Sequence, residues 1–127
     1  MEKPYHEAIS KSGIEVKMNN TEKIKQIADH YGYEHQSRQC IEEMAELTQA
    51  INKFWRKEIP NRNNYKLLQK IYEEIADVQI CLDQLKYLLN CYDEVEAMER
   101  YKLGREIARI EKAMRGVKQC SFGGKSE

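Results

Sequence analysis

The stretch CIEEMAEL, residues 40–47, places three carboxylates, Glu42, Glu43 and Glu46, beside the apolar residues Cys40, Met44 and Leu47. A second stretch, YEEIADV at residues 72–78, repeats the pattern with Glu73, Glu74 and Asp77 beside Ile75 and Val78. In both, apolar residues recur every three or four positions, the period of an amphipathic helix and not of a strand. Outward from these two stretches the same spacing continues. It runs through Ile51 and Phe54 or Trp55 in one direction, and through Cys81, Leu82, Leu85 and Leu89 in the other.

Pro occurs only at positions 4 and 60, and Glu, Lys, Gln, Leu, Ala and Ile dominate. The chain reads as all-α. About four helices are predicted. The first runs from Thr21, as its cap, to Tyr31, with Ile24, Ile27, Ala28 and Tyr31 inward and Gly32 as its stop. The second covers about 34 or 36 to 57 and ends at EIPNRNN, residues 58–64; the third covers about 65 to 90. Asp93, with Glu96 three residues on, can cap a fourth helix that continues to about Met114, with a kink near Gly104 where the apolar phase changes. Short connections favour antiparallel neighbours, hence a small helical bundle. Residues 1–20 read as an N-terminal arm, 21–115 as the helical domain, and 116–127 as a frayed tail.

Length and composition narrow the function. With 127 residues, the chain fits a single domain. Lys plus Arg and Asp plus Glu each number 21, so no excess charge points to a nucleic acid or an acidic membrane as partner. Hydrophobic residues make up 41%, enough to bury a core. Cys40, Cys81, Cys91 and Cys120 are widely separated and form no Cys-x-x-Cys pair, which reads as reduced thiols and not a zinc knuckle or disulfide framework. MEKPYHEAIS at residues 1–10 carries no long apolar run, and no uninterrupted apolar stretch is long enough for a membrane span, so the expected compartment is the cytoplasm.

The helical wheel then separates the carboxylates. Glu43 falls on the edge of the apolar stripe of its helix, Glu46 lies one turn on, and Glu42 points further outward. Glu74 falls inside the stripe of the next helix, Asp77 borders it, and Glu73 faces solvent. A carboxylate aimed at a core must be paired, protonated or metal-bound. Packing the two helices together brings Glu43, Glu46, Glu74 and Asp77 into one place. Like charges about 4 Å apart repel by about 4 kcal/mol at an effective dielectric near 20. A hard divalent cation with oxygen ligands would relieve that repulsion, and Mg²⁺ prefers a few carboxylates plus water and phosphate.

EEMAEL at 42–47 followed by EEIADV at 73–78 resembles the all-α nucleoside triphosphate pyrophosphohydrolases of the MazG-like group, and YGYEHQ at 31–36 and INKFWR at 51–56 resemble the flanking segments. The resemblance spans about Thr21 to Met114. It implies Glu43 and Glu46, with Glu74 and Asp77, as metal ligands, and Glu42 as an additional acidic position. It also implies Mg²⁺, with Mn²⁺ as a substitute, cleavage of a nucleoside triphosphate between the α and β phosphates, and a homodimer or homotetramer. Glu42 or Glu46 is the expected base. Lys53 and Arg56, on the second helix, and Lys102, Arg105, Arg109 and Lys112, along one face of the fourth, are the candidate phosphate contacts.

Other chemistries find less support. His6, His30 and His35 stand in no H-E-x-x-H or E-x-x-H spacing tied to the acidic turns, and no P-loop is present. No nucleophile, base and orienter set for a serine or cysteine hydrolase is recognisable. A catalytically silent nucleotide- or metal-binding homologue and a helical interaction module are the alternatives.

Overall fold

The computed structural model describes residues 17–56 and 64–122, with side chains to residue 118. Over these residues the chain is all-helical, with three helices: α1 (Asn20–Arg56), α2 (Tyr65–Leu88) and α3 (Tyr92–Phe122). The expectation of about four helices gives way to three, because the first two follow one another inside α1. Gly32 marks the join, with φ 78° and ψ 172° between two helical stretches. That conformation is open almost only to glycine, which is the physical content of the expected stop.

Helix starts differ from expectation. Asn19, not Thr21, caps α1: its Oδ1 accepts the Glu22 backbone N–H at 2.8 Å, and Glu22 Oε2 accepts the Asn19 N–H at 3.1 Å. This reciprocal pair needs a carboxylate three residues after the cap, and Thr21 has Ile24 there. Likewise α3 starts at Tyr92, with the Val95 N–H bonded to the Cys91 carbonyl, so Asp93 and Glu94 lie in its first turn and Asp93 is not the cap. There they favour the positive end of the helix dipole. Asn90, at φ 50°, takes the left-handed position just beyond α2. The calls on residues 1–16, 57–63 and 123–127 lie outside the described residues.

The chain divides into two units, Met1–Asn90 and Cys91–Glu127. In the first, α1 and α2 pack antiparallel. Gln36 donates to Gln84 at 2.6 Å, and Tyr87 donates to both carboxylate oxygens of Asp29 at 2.8 and 2.9 Å, so positions rising along α1 meet positions falling along α2. On α1 the seam holds Gln36, Cys40, Glu43, Leu47, Ala50 and Phe54, all buried or half-buried; on α2 it holds Leu67, Ile71, Glu74, Val78, Cys81, Leu85 and Leu88. Both rows step alternately by four and three residues, the narrow seam of two-helix packing. This explains why Ile51, Ile75, Leu82 and Leu89, expected to point inward, are 39%, 46%, 44% and 55% exposed. A single partner helix covers only the narrow row. Tyr31, also expected inward, lies half-exposed beside His35.

In the second unit, every residue of α3 from Glu96 to Lys118 is exposed, including Leu103, Ile107, Ile110 and Met114. The helix runs unbroken through Gly104, without the expected change of conformation, and ends at Phe122, beyond Met114. A Cβ at Gly104 would meet nothing within 4 Å. Gly104→Ala is therefore expected to stabilise α3 by about 0.5–1 kcal/mol, read as a later urea midpoint by circular dichroism. An earlier midpoint would show that Gly104 is needed for something other than helix.

Candidate functional site

The antiparallel register brings the two acidic turns together. Cys40 lies opposite Cys81 one layer from the Gln36–Gln84 bond, and the next layers place Glu43 and Glu46 of α1 against Glu74 and Asp77 of α2. One carboxylate oxygen from each of Glu43, Glu46 and Glu74 falls within a span of 4.8 Å. Glu74 is 1% exposed, Glu43 is half-buried, and Glu46 lies at the exposed rim. Asp77 stands just outside this trio, exposed, yet close enough for Glu43 and Glu74 to act on it.

Glu43 and Glu74 are each held through one oxygen and left without a partner at the other. Gln39 Nε2 donates to Glu43 Oε1 at 2.7 Å, one helical turn away. Lys70 Nζ donates to Glu74 Oε1 at 2.6 Å, also across one turn. The second oxygens, Glu43 Oε2 and Glu74 Oε2, are buried without a hydrogen-bond partner. Unpartnered buried acceptors are uncommon, and two in one cluster of negative charge leave the site short of positive charge. Neither Lys70 nor Gln39 stands out in the sequence until the burial of Glu74 and the half-burial of Glu43 are known.

The titration of the neighbours follows. The Glu46 carboxyl is raised, first by the charge of Glu74, then by that of Glu43, by desolvation, and by the hydrogen bond its protonated form can donate to Glu74, with Lys70 opposing. Asp77 is raised by desolvation, then by Glu43 and Glu74. Both groups hold protons more tightly in the folded chain than in the unfolded one, so their ionisation lowers stability. That loss sets in as pH rises above the ordinary carboxylate range near about 4, grows up to the raised folded pKa, and is then constant. With chelator present, Glu46→Gln should melt higher than wild type at neutral pH, and the two should converge on acidification. A wild-type advantage that grows with pH would contradict this electrostatic picture.

Among the other residues singled out in the sequence, Glu42 is exposed and lines an open cleft of about 410 Å³ with Tyr31, Glu34, His35, Arg38 and Gln39. Tyr31 and His35 stack there with ring centroids 4.6 Å apart. Lys53 and Arg56 are exposed in the last turn of α1, about 10 and 15 Å along the helix axis from Glu46. On α3, Arg105 lies over the Tyr101 ring at 5.7 Å and Arg109 pairs with Glu106 at 3.3 Å, while Lys102 is exposed.

Cys40 and Cys81 are buried beside the acidic turns. Burial first and then the Glu43 charge raise Cys40, while burial pushes Cys81 up to about 11, with Cys40, Glu43 and Asp77 adding to it. Both therefore stay protonated and poorly nucleophilic. Among the described residues, Cys40, Cys81 and Cys91 are free, and no helix is long and apolar enough to cross a membrane.

No family model, curated protein or solved structure matches the chain.

Proposed function

We propose that the chain is a Mg²⁺-dependent nucleoside triphosphate pyrophosphohydrolase of MazG-like type, releasing pyrophosphate and a nucleoside monophosphate. The observation that carries this reading is the pair of buried, unpartnered oxygens, Glu43 Oε2 and Glu74 Oε2, in a three-carboxylate cluster spanning 4.8 Å. An all-oxygen, negatively charged set suits a hard cation such as Mg²⁺ or Mn²⁺. Glu43, Glu46 and Glu74 would hold it, with Asp77 at the edge. Bound there, the metal supplies charge neutralisation of phosphate oxygens and a more acidic water.

The chain's own residues supply the remainder. Glu46, whose proton affinity is already raised by its neighbours, and Glu42 at the cleft are the candidates to take the proton from the attacking water. Lys53 and Arg56, on the helix that carries Glu43 and Glu46, are the candidate phosphate contacts. The substrate is a nucleoside triphosphate, with no stable nucleic-acid or membrane partner, and the compartment is the cytoplasm.

We further propose a homodimer or homotetramer completing a helical bundle. Exposed Ile41, Met44, Ile51 and Trp55 on α1, and Leu103, Ile107, Ile110 and Met114 on α3, support it. Contiguous apolar surface of this kind marks interaction sites. The same exposure favours the second reading, a helical interaction module without turnover.

The test is product analysis from a panel of ribo- and deoxynucleoside triphosphates with Mg²⁺ and with EDTA. Metal-dependent release of pyrophosphate and monophosphate is expected. Orthophosphate and the nucleoside diphosphate instead would refute the cleavage position, and no release from any triphosphate would favour the interaction module.

A further inference from the structure

Lys70 is the cation that the described ion pairs place on the acidic cluster, and its setting is uneven. Its Nζ lies 2.6 Å from Glu74 Oε1 and 4.0 Å from Glu73 Oε2. The Lys70 side chain is 57% exposed, whereas that of Glu74 is 1% exposed. More than half of the Lys70 side chain is thus exposed while its ammonium reaches the buried carboxylate, so the side chain can swing away without repacking the α1–α2 seam. One ammonium also cannot neutralise Glu43, Glu46 and Glu74 together, and two of their oxygens still have no donor.

Resting on the metal reading above, we propose that Lys70 is a resident counter-cation of the cluster: it leaves Glu74 when a divalent cation enters, and its ammonium passes to a phosphate of the anionic ligand. Two cations compete for one carboxylate, and the divalent ion, with several oxygens to bind, displaces the monovalent one. The released ammonium remains within a side-chain length of the cluster, on a flexible stem with three donors, suited to a metal-bound phosphate as a point charge. A lysine that merely anchored Glu74 would behave in the opposite way. Its loss would leave a ligand poorly oriented and weaken metal binding.

Lys70→Met keeps the stem and removes the charge, and circular dichroism verifies that helix content is retained. Mn²⁺ alone is titrated calorimetrically into wild type, Lys70→Met and Glu74→Gln, and inorganic pyrophosphate is then titrated into the Mn²⁺-saturated proteins. Lys70→Met is expected to bind Mn²⁺ about tenfold more tightly than wild type and pyrophosphate about tenfold more weakly, the scale of one charged hydrogen bond. Unchanged or weaker Mn²⁺ binding, or unchanged pyrophosphate binding, overturns the proposal. Mn²⁺ uptake that is lost in Glu74→Gln but unaltered in Lys70→Met overturns this inference alone. A wild-type chain that takes up no Mn²⁺ overturns the metal reading and this inference together.

Discussion

Glu74→Gln is expected to lower Mg²⁺-dependent pyrophosphate release by about a thousandfold or more, an effect of roughly 4 kcal/mol on the transition state, while leaving helix content intact. The amide is nearly the same size as the carboxylate and fits the same place in the seam, so the fold has no reason to change. What disappears is a charge that is 1% exposed, with one oxygen on Lys70, the other unpartnered, and carboxylate oxygens of Glu43 and Glu46 within 4.8 Å of the group. In the metal-free chain that charge is repelled by Glu43 and Glu46 and attracted by Lys70, and its removal is expected to leave the melting temperature close to that of wild type. A large loss of activity without loss of stability is the mark of a group retained for function. Should the variant instead lose stability and activity in parallel, Glu74 would be a structural partner of Lys70 and not a metal ligand.

The largest expected stability effect is at Gly32. With φ 78° and ψ 172°, any side chain there is strained even though a Cβ would meet nothing within 4 Å. Gly32→Ala should cost about 1–3 kcal/mol, lowering the melting temperature by about 5 to 15 °C. Gly104→Ala, the same chemical change inside a regular helix, should move stability the other way. Thermal melts of the two variants side by side separate backbone strain from helix propensity. A Gly32→Ala chain as stable as wild type would mean that the break in α1 relaxes without cost.

The all-α class, the Gly32 break and the inward position of Glu74 could be read from the chain because each follows from a local rule. Helical spacing, glycine's access to positive φ, and the phase of a residue within its stripe require no knowledge of the partner. The width of the buried face did not follow. Ile75 and Leu82 share the apolar side of α2 with Cys81, yet only the row facing α1 is covered, and a wheel cannot say how many helices will pack against it. Asn19 was hidden by Thr21, an equally good capping residue, until the Glu22 partner is weighed. Lys70 was hidden for a different reason. Lysine four residues before glutamate is ordinary on a solvated helix, and only the burial of Glu74 makes that pair consequential.

At the cluster itself, sequence spacing brings Glu43, Glu46 and Glu74 together, and the structure leaves Asp77 at the margin. Lys53, Arg56, Lys102, Arg105 and Arg109 are solvent-facing, as long cationic side chains usually are.

If these carboxylates hold a divalent cation, Mn²⁺ binding followed by electron paramagnetic resonance separates wild type from Glu43→Gln and Glu74→Gln. Saturable binding by wild type that each substitution abolishes is the expected result. Equal Mn²⁺ binding by all three proteins, or none by any of them, would contradict it.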